Sequence, residues 1–359
     1  MLVSQNKSKQ NNLPTEDVLM ITTKDNITPE NLEKEMHLLA ERLKLENVED
    51  SLYFPKYFQI ETIRVCNARC TFCAVDQWDK SVPLMPDELF NKIADELGNY
   101  SDWIEFVCIQ RAGEPLLDKK LVERVRKLKQ VGIKRVNFST NASLLTEKKA
   151  RDLFEAGLDE VYISIDTVDK ETYEQQRVGL KYETVINNIK SLFQVRNEVK
   201  PDAVLRVRGI YFSNSLDDPD EREAMIRWEN FWTPIKKPHD QIYMKKAHNF
   251  GNHKDLNVDA PDYEWDWVYH PCIIPWSSMN ITAMGKVALC CVDLDADVNM
   301  GDINLHSIAE VWRSEKYQAI RELHKAGKRN EIKLCQGCTI FDEDSKVNSS
   351  QEKQLIYQS

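Results

Sequence analysis

Three cysteines, Cys66, Cys70 and Cys73, stand in a C-x3-C-x2-C arrangement at the end of the first strongly predicted strand. Three thiolates on one short loop can occupy three corners of a 4Fe–4S cluster and leave the fourth iron open to another ligand. A structural zinc knuckle is the alternative, but it needs a fourth ligand nearby. Because no Cys or His lies between Cys73 and Cys108, the spacing favours the iron–sulfur cluster.

A second set of four cysteines lies towards the C-terminus: Cys272, Cys290, Cys335 and Cys338. Their spacing is C-x17-C, then a gap of 44 residues, then C-x2-C. Four thiolates complete the ligand set of a second 4Fe–4S cluster and leave no open iron, so such a cluster carries electrons or supports the fold. Structural zinc is the alternative, although zinc ribbons normally use two close pairs and only the last pair here is close.

Two cysteines fall outside these sets. Cys291 directly follows Cys290, so it is either the true ligand in place of Cys290 or a free thiol beside the site. A free thiol there can act catalytically by donating a hydrogen atom to a substrate radical, whereas a thiol that faces the core is the alternative. Cys108 lies on a predicted strand, and we expect it to be a buried apolar side chain.

The composition is that of a soluble cytoplasmic protein with two domains. At 359 residues and 41.8 kDa, the chain is long for a single domain. Its 58 acidic and 48 basic residues give a formal charge of −10, which opposes binding to nucleic acid, since that needs clustered Lys and Arg. We find neither a secretory leader nor an apolar stretch of about 20 residues, and therefore expect no membrane partner.

Apolar strands alternate with amphipathic helices between residues 58 and 211, and this pattern predicts an α/β fold with a parallel sheet. The predicted strands are rich in Val, Ile, Phe and Tyr: Gln59–Val65, Ile104–Gln110, Arg135–Thr140, Glu160–Ile165 and Leu205–Phe212. Gly132 and Gly157 are expected to end two of the helices. Since ligands of such sheets bind beyond the carboxyl ends of the strands, the first cysteine loop lies at the expected edge.

The chain divides into four predicted regions. Residues 1–55 are an N-terminal extension with one amphipathic helix, which we expect to pack on the main domain of residues 56–250. That domain is predicted to end with a helix from Asp218 and a strand at Gln241–Lys246. Residues 251–341 carry the second cysteine set, a β-hairpin that turns at Met284-Gly285, and a helix from a capping box at Ser307 towards Gly327. Residues 342–359 form a polar tail.

Small and polar residues follow three successive strands, at the edge where the first cysteine loop lies. The turn Arg111-Ala112-Gly113-Glu114-Pro115 lets backbone carbonyls approach a ligand, and Glu114 adds a negative charge. The others are Ser139, Thr140, Asn141, Ser164 and Asp166. Ser164 and Asp166 share one face of their strand because they are two residues apart. Each residue taken singly is also compatible with an ordinary turn or cap.

The fifth strand carries Arg206 and Arg208 on one face, so both point into the sheet's interior or both point out. A buried charge without a partner is costly, so inward-facing arginines would hold a substrate or cofactor carboxylate. A solvated strand face is the alternative.

The first cysteine set, with Phe72 directly before Cys73, resembles the signature of the radical S-adenosylmethionine (SAM) enzymes. The resemblance implies a partial (β/α)6 barrel in which the open iron chelates the amino and carboxylate groups of SAM. One electron from the cluster then splits SAM to a 5′-deoxyadenosyl radical. The turn at 111–115 is close to that family's Gly-Gly-Glu-Pro motif, with alanine at the first glycine. The resemblance implies these SAM-binding residues: Phe72, Ala112, Gly113, Glu114, Thr140, Asn141, Ser164, Asp166 and Arg177, the last paired with the SAM carboxylate.

The second cysteine set resembles the SPASM or shortened "twitch" domain of the same family, with a hairpin and a capped helix between its ligands. Within that subgroup the chain looks most like the butirosin-pathway inosamine dehydrogenases, which oxidise an alcohol. It differs from them in its N-terminal extension and in an insertion at 213–271. Since no cysteine follows Cys338, we expect two 4Fe–4S clusters in total.

From this resemblance we expect a radical SAM oxidoreductase that acts on a hydroxylated small molecule such as a sugar, a cyclitol or an aminoglycoside precursor. Dehydrogenation, with the auxiliary cluster as electron acceptor, is the preferred reaction. Epimerisation with Cys291 as hydrogen donor and modification of a ribosomal peptide are the alternatives. A flavodoxin or ferredoxin would supply the reducing electron. A noncatalytic electron carrier is the rival from another class, but it would not explain the open iron or the polar strand ends.

Overall fold

The structure, a computed structural model, describes residues 27–212, 218–247, 270–336 and 338. The predicted tail at 342–359 and the predicted domain boundary at residue 250 lie outside the described residues. Within them, the chain forms a nine-stranded sheet flanked by helices and a separate two-stranded ladder.

The elements are numbered here in chain order. The strands are β1 (Tyr57–Ile60), β2 (Arg69–Cys70), β3 (Phe106–Cys108), β4 (Val136–Thr140), β5 (Glu160–Ser164), β6 (Arg177–Val178), β7 (Val204–Tyr211), β8 (Gln241–Lys246), β9 (Ser278–Ile281), β10 (Lys286–Ala288) and β11 (Asn299–Asp302). The helices are α1 (Pro29–Arg42), α2 (Asp87–Gly98), α3 (Leu121–Gln130), α4 (Glu147–Glu155), α5 (Lys170–Gln176), α6 (Tyr182–Val199), α7 (Pro219–Trp232), α8 (Ile274–Ser277), α9 (Ile308–Trp312) and α10 (Glu315–Lys325).

Six strands of the large sheet run parallel in the order β1-β3-β4-β5-β7-β8. This confirms the predicted partial (β/α)6 barrel, with helices in the crossovers as parallel pairing requires. On the other side of β1 the sheet continues into β9, which is parallel to β1, and then into antiparallel β10 and β11. The predicted hairpin is therefore β9 and β10, while β11 is an additional strand.

The residues of β7 alternate between two environments. Leu205 and Val207 are fully buried in the core that packs against the helices. The alternate residues Arg206 and Arg208 are only half-buried and lie beside Tyr162 and Ser164 of β5. Both arginines thus face the interior of the barrel, which decides between the two orientations that the sequence allows.

Local sequence signals set the ends of the barrel helices. Gly132 (φ +94°) and Gly157 (φ +100°) follow α3 and α4 in the left-handed conformation that glycine adopts without strain, as predicted. In the C-terminal region, however, the single helix predicted from Ser307 to Gly327 is two helices. Ser314 ends the first and caps the second, because its side chain accepts a hydrogen bond from the backbone N–H of Tyr317.

The N-terminal segment packs where the barrel meets the C-terminal region. Leu39 and Ala40 of α1, with Leu43 at its C-cap, form a buried cluster with Trp276, four residues after Cys272. Downstream of α1, the Ser51 carbonyl accepts a hydrogen bond from the Trp312 indole. The extension therefore fixes the C-terminal region as well as contacting the main domain.

A buried ion pair fixes the last two parallel strands. Both guanidinium ends of Arg196 on α6 bond to Asp240, at 2.7 and 2.6 Å, and Asp240 also accepts from the Leu205 backbone N–H. Burial alone would raise the pKa of Asp240, but these hydrogen bonds hold it below its usual value. A carboxylate with a depressed pKa stabilises the fold above its unfolded pKa of about 3.9, and that stabilisation is lost as the pH falls.

We therefore expect Asp240→Asn to lower the free energy of unfolding by about 3–5 kcal/mol at pH 7, because Arg196 is left buried without a counter-charge. The difference from the wild type should shrink below about pH 4, where Asp240 of the unfolded chain takes up a proton, and it should be lost below the lower pKa of the folded state. Urea unfolding at several pH values measures both. Glu198→Gln, which breaks an exposed pair with Arg151, is the matched control and should change little. A pH-independent loss for Asp240→Asn would contradict the role of the charge.

Candidate active site

The first cysteine loop pairs with β6 through the short strand β2. Cys66, Cys70 and Cys73 are all half-buried, and Cys70 pairs in the β2–β6 ladder with Arg177. Burial raises the pKa of the Cys66 and Cys70 thiols and raises that of Cys73 to about 12. Buried thiolates of this kind need positive charge, and iron supplies it when it binds. The donor set therefore fits an iron–sulfur cluster.

At Gly113, the turn after β3 packs directly against the chain that leads into this loop. The Glu114 N–H donates to the Val65 carbonyl at 2.9 Å. A Cβ atom on Gly113 would lie 2.5 Å from the Ile63 carbonyl oxygen and 2.6 Å from that of Val65, so no other residue fits. Ala112, like Cys66 and Cys73, packs against a small buried apolar cluster, so its methyl group is accommodated there. The first glycine of the family motif is thus replaceable here, while the second is not.

Glu114 is buried and gathers the predicted polar residues of the next strand. Its carboxylate accepts hydrogen bonds from the Thr140 hydroxyl at 2.6 Å and from the Asn141 N–H at 2.8 Å. Burial raises the pKa of Glu114 to about 7, against the effect of these bonds. Asn141 in turn donates to Asn67 within the cysteine loop at 3.0 Å. Glu114, Thr140 and Asn141 therefore form one network at the edge that the sequence predicts.

Asp166 and Arg177 bond to each other rather than standing free. The Arg177 Nε donates to Asp166 at 2.7 Å, and its Nη1 lies 3.9 Å from the Cys70 sulfur. The guanidinium also stacks over Phe72, with 5.4 Å to the ring centroid. Burial alone would lower the pKa of Arg177, yet Asp166 and Cys70 hold it above its usual value. Arg177 is thus a permanent positive charge beside a cluster ligand.

Ser164 faces the barrel interior below this edge. Its hydroxyl lies 3.3 Å from that of Ser139, which accepts a hydrogen bond from Arg208 at 3.2 Å. Cys108 is close enough to Arg208 for that charge to act on its thiol and lower its pKa. Burial has the larger effect and raises the pKa of Cys108 to about 12. Tyr162 is another interior residue that sequence reasoning missed. The sequence did contain a signal for it: Tyr162 lies two residues before Ser164 and therefore on the same face of β5.

The second cysteine set lines a cavity of about 80 Å³ that is partly open to solvent. All five C-terminal cysteines contribute to it, namely Cys272, Cys290, Cys291, Cys335 and Cys338. Both Cys290 and Cys291 line it, so either thiol could be the cluster ligand beside Cys272, Cys335 and Cys338. In the described part of the chain, no three His, Cys, Asp or Glu side chains converge as ligands of a single metal ion do. The ligands of a cluster bind different irons, and the thiol-lined cavity fits that arrangement.

Three basic residues, which sequence reasoning missed, complete the wall of this cavity: Arg42 of α1, His324 of α10 and Arg329. His324 Nδ1 accepts a hydrogen bond from the Cys272 N–H at 2.9 Å. Burial, with the charge of Arg329, lowers the His324 pKa to about 3, so the imidazole is neutral and Nε2 carries its hydrogen. Arg329 hydrogen-bonds the Cys335 side chain. Nothing in the local sequence signals these contacts.

A buried arginine connects the two cysteine sites. Arg111, directly before the Ala112-Gly113 turn, donates to the Leu294 carbonyl at 2.8 Å and to the Asp293 carbonyl. Arg64, two residues before Cys66, donates to the same Leu294 carbonyl at 2.8 Å. Glu61 lies 3.3 Å from Arg64 and 3.9 Å from Arg111, and burial raises its pKa. The loop after Cys291 is therefore bonded to the turn after β3.

The arrangement can be compared with known proteins. The profile of the radical SAM superfamily matches residues 60–205, and that of the SPASM iron–sulfur cluster-binding domain matches residues 272–339. The first range contains Cys66, Cys70, Cys73 and the Gly113 turn. The second range contains Cys272, Cys290, Cys291, Cys335 and Cys338. No helix in the described part of the chain is both long enough and apolar enough to cross a membrane.

Two kinds of curated protein resemble the chain. It is 23% identical over 314 residues to the tungsten-containing aldehyde ferredoxin oxidoreductase cofactor-modifying protein of Pyrococcus furiosus, which covers 75% of the chain and 84% of that protein. It is 31% identical over 166 residues to the GTP 3′,8-cyclase of Limosilactobacillus fermentum, which covers 45% of the chain and 48% of the cyclase. The chain thus spans less than half the length of that cyclase.

Solved structures share the fold. BtrN in complex with AdoMet and 2-DOIA superposes with a TM-score of 0.54 at 18% identity, over 80% of the chain and 93% of BtrN. SuiB of Streptococcus suis bound to its precursor peptide SuiA gives 0.60 at 14% identity, over 89% and 74%. The two matched regions are the domains of a radical SAM enzyme: the radical SAM domain binds SAM and a 4Fe–4S cluster, and the SPASM domain binds further iron–sulfur clusters.

Proposed function

We propose that the protein dehydrogenates a hydroxylated small molecule such as a sugar, a cyclitol or an aminoglycoside precursor. When bound, SAM with its cluster supplies a 5′-deoxyadenosyl radical that takes a hydrogen atom from carbon, and the auxiliary cluster supplies an acceptor for a second electron. Oxidation of an alcohol to a carbonyl releases one hydrogen atom, one electron and one proton, so two such cofactors balance it. One observation carries the proposal. Arg111, which precedes the Gly113 turn, bonds to the loop beside the cysteine-lined cavity and so connects the two cysteine sites.

The names of two relatives support a small substrate. The GTP 3′,8-cyclases are named for GTP, and the BtrN structure contains 2-DOIA. The SuiB structure contains a precursor peptide, so a peptide is the alternative substrate class that product analysis must exclude.

Within this proposal, Cys66, Cys70 and Cys73 hold the cluster to which SAM binds. Arg177 adds positive charge beside Cys70, where a SAM carboxylate chelated to the open iron would lie. Oε1 of Glu114 accepts from the Thr140 hydroxyl and the Leu116 N–H, while Oε2 accepts from the Asn141 N–H. A carboxylate oxygen can accept two hydrogen bonds, so Oε2 can also accept one from the SAM ammonium. Ser164 and Asp166, on the inner face of β5 and just beyond it, are placed for the ribose.

The residues around the auxiliary cavity favour an electron acceptor. Positive charges and N–H groups near a cluster stabilise its reduced form and raise its reduction potential. Arg329 bonds to Cys335, and Arg42 lines the same wall. The buried Nε2 of His324 lines it too and has no hydrogen-bond partner among the described residues. These groups support the assignment of the second-electron acceptor to this cavity.

Epimerisation is the second candidate, because one observation favours it. Cys291 lines the cavity beside the ligand thiols, and burial raises its pKa to about 11 although the Arg111 charge opposes this. A protonated thiol at that place holds the hydrogen atom that an epimerase must return to the substrate. The two reactions make opposite demands on Cys291.

We expect SAM to bind more tightly at pH 8 than at pH 6. The pKa of Glu114 is raised to about 7, so its side chain is largely protonated at pH 6 and then carries no negative charge to attract the SAM ammonium. Glu114→Gln should bind SAM roughly tenfold more weakly at pH 8 and lose the pH dependence, since a bond to a charged group is worth about 1.5–3 kcal/mol. Calorimetric titration measures this. Glu123→Gln, on an exposed position of α3, is the control. Wild-type affinities for Glu114→Gln at both pH values would remove Glu114 from the site.

Arg329→Met should lower the midpoint potential of the auxiliary cluster while its irons are retained. The loss of a charged donor to Cys335 disfavours the reduced cluster, and we expect about 60 mV, the one-electron equivalent of a tenfold change. A redox titration followed by electron paramagnetic resonance measures the potential. Lys328→Met removes the neighbouring exposed charge, which pairs with Glu331, and should leave the potential unchanged. Equal potentials for Arg329→Met and the wild type would refute the tuning role.

Cys291→Ala separates dehydrogenation from epimerisation. If Cys290 is the cluster ligand, a dehydrogenase should keep both clusters and its turnover in Cys291→Ala, whereas an epimerase should consume SAM without forming product. Turnover in deuterium oxide with mass spectrometry adds an independent result, because a solvent-exchanged thiol places deuterium at the reacting carbon. One deuterium per product, with an inactive Cys291→Ala enzyme, would overturn the dehydrogenase proposal. Cys290→Ala is the matched variant: loss of about four irons from only one of the two variants identifies the ligand.

A further inference from the structure

The two inward-facing arginines of β7 differ in their partners. Arg206 bonds to Glu160 of β5 and to Gln241 of β8, so its charge is neutralised within the protein. Arg208 contacts the Ser139 hydroxyl and lies over the Tyr162 ring, with 5.8 Å to its centroid. Among the described residues, no carboxylate forms an ion pair with Arg208. One strand thus carries a paired and an unpaired guanidinium on the same face.

The groups that Arg208 contacts among the described residues are neutral. Ser139 and Ser164 present hydroxyls 3.3 Å apart. Burial raises the pKa of Tyr162 to about 12, so its phenol keeps its proton. Hydroxyls donate as readily as they accept, and a guanidinium offers two parallel N–H groups that match a carboxylate or phosphate. A half-buried charge without a counter-ion is costly, and an anionic ligand would remove that cost.

The SAM carboxylate is not the anion that this position fits. SAM chelates the cluster iron through that carboxylate, so the cation paired with it must lie beside Cys66, Cys70 and Cys73. Arg177 lies there, 3.9 Å from the Cys70 sulfur. The contacts of Arg208 are instead with β4 and β5, on the inner face of the barrel. An anion at Arg208 therefore belongs to the other molecule in the site.

We propose that Arg208, with Ser139, binds a carboxylate or phosphate group of the substrate. The inference rests on the proposed function for the substrate class, and it narrows that class to anionic hydroxylated molecules. A sugar phosphate or a uronate fits, whereas a cationic aminocyclitol would be repelled by the unpaired guanidinium.

The test is ligand binding to the SAM-bound protein with both clusters, without turnover. The probes are D-glucose 6-phosphate, D-glucuronate and, as the neutral reference, D-glucose, each titrated by calorimetry. The wild type should bind at least one anionic sugar about tenfold or more tightly than glucose. Arg208→Gln should lose this preference and keep its SAM affinity, while Arg208→Lys should keep part of it. Arg206→Gln, on the same face, is the matched control and should retain the preference.

The phosphate and the uronate probe distinguish the two sources of negative charge, and binding of either supports the proposal. Equal binding of glucose and both anionic sugars by the wild type would overturn it. So would an unchanged preference in Arg208→Gln. A selective loss of SAM affinity in that variant would overturn it too, because Arg208 would then belong to the SAM site. Since no reaction is measured, a failed dehydrogenation assay leaves this result intact, and a lost anion preference leaves the dehydrogenation proposal intact.

Discussion

The relation between the two cysteine sites depends on one buried guanidinium, that of Arg111. Its guanidinium donates hydrogen bonds to the carbonyls of Asp293 and Leu294, which follow the hairpin of the second site. Its backbone leads into the turn at Gly113, which packs against the chain just before the first cysteine loop. Glu61 lies within ion-pair distance and offsets part of the charge. Removing one partner of such a buried set is strongly unfavourable, so the two loops cannot shift independently. The placement of one cluster cavity relative to the other is thus set by side chains of the barrel rather than by a linker.

Much of the barrel and of both cysteine sets could be predicted because their signals are local. Strand alternation, the glycines at 132 and 157, and the cysteine spacings each depend on neighbours within a few residues. The contacts of Arg111 join it to residues more than 180 positions away, and in the sequence it is only the first residue of a turn. The same limit applies to α1, whose helix was predictable from its periodicity but whose partner Trp276 was not. The split between α9 and α10 is different, since Ser314 was a readable cap inside an otherwise continuous pattern.

At the SAM side, the sequence identified polar residues but not what they bond to. Glu114, Asp166 and Arg177 were expected to face SAM, and each also has a strong partner within the protein. A residue type that binds an ammonium or a carboxylate of a ligand binds the same groups of a neighbour equally well, so composition cannot separate the two. In the structure the internal bonds fix the orientation of these side chains. Such preorganisation reduces the free energy needed to arrange them when SAM binds.

The positive charges near the cysteines follow a common rule with different consequences at the two sites. Burial raises the pKa of Cys70 and Cys335, and one arginine, Arg177 or Arg329, opposes that effect at each. These charges do not outweigh burial, which still raises the pKa of Cys73, Cys272 and Cys291 although an arginine acts on each of them. Metal binding must therefore supply most of the free energy that deprotonates them, which couples cluster assembly to the closed, folded state. At the first site, Cys66 and Cys73 also pack against a buried apolar cluster of Ala74, Val75, Trp78 and Leu294. Because the dielectric around such half-buried sulfurs is low, the charges of Arg177 and Arg329 act strongly on the thiols beside them and oppose the effect of burial there.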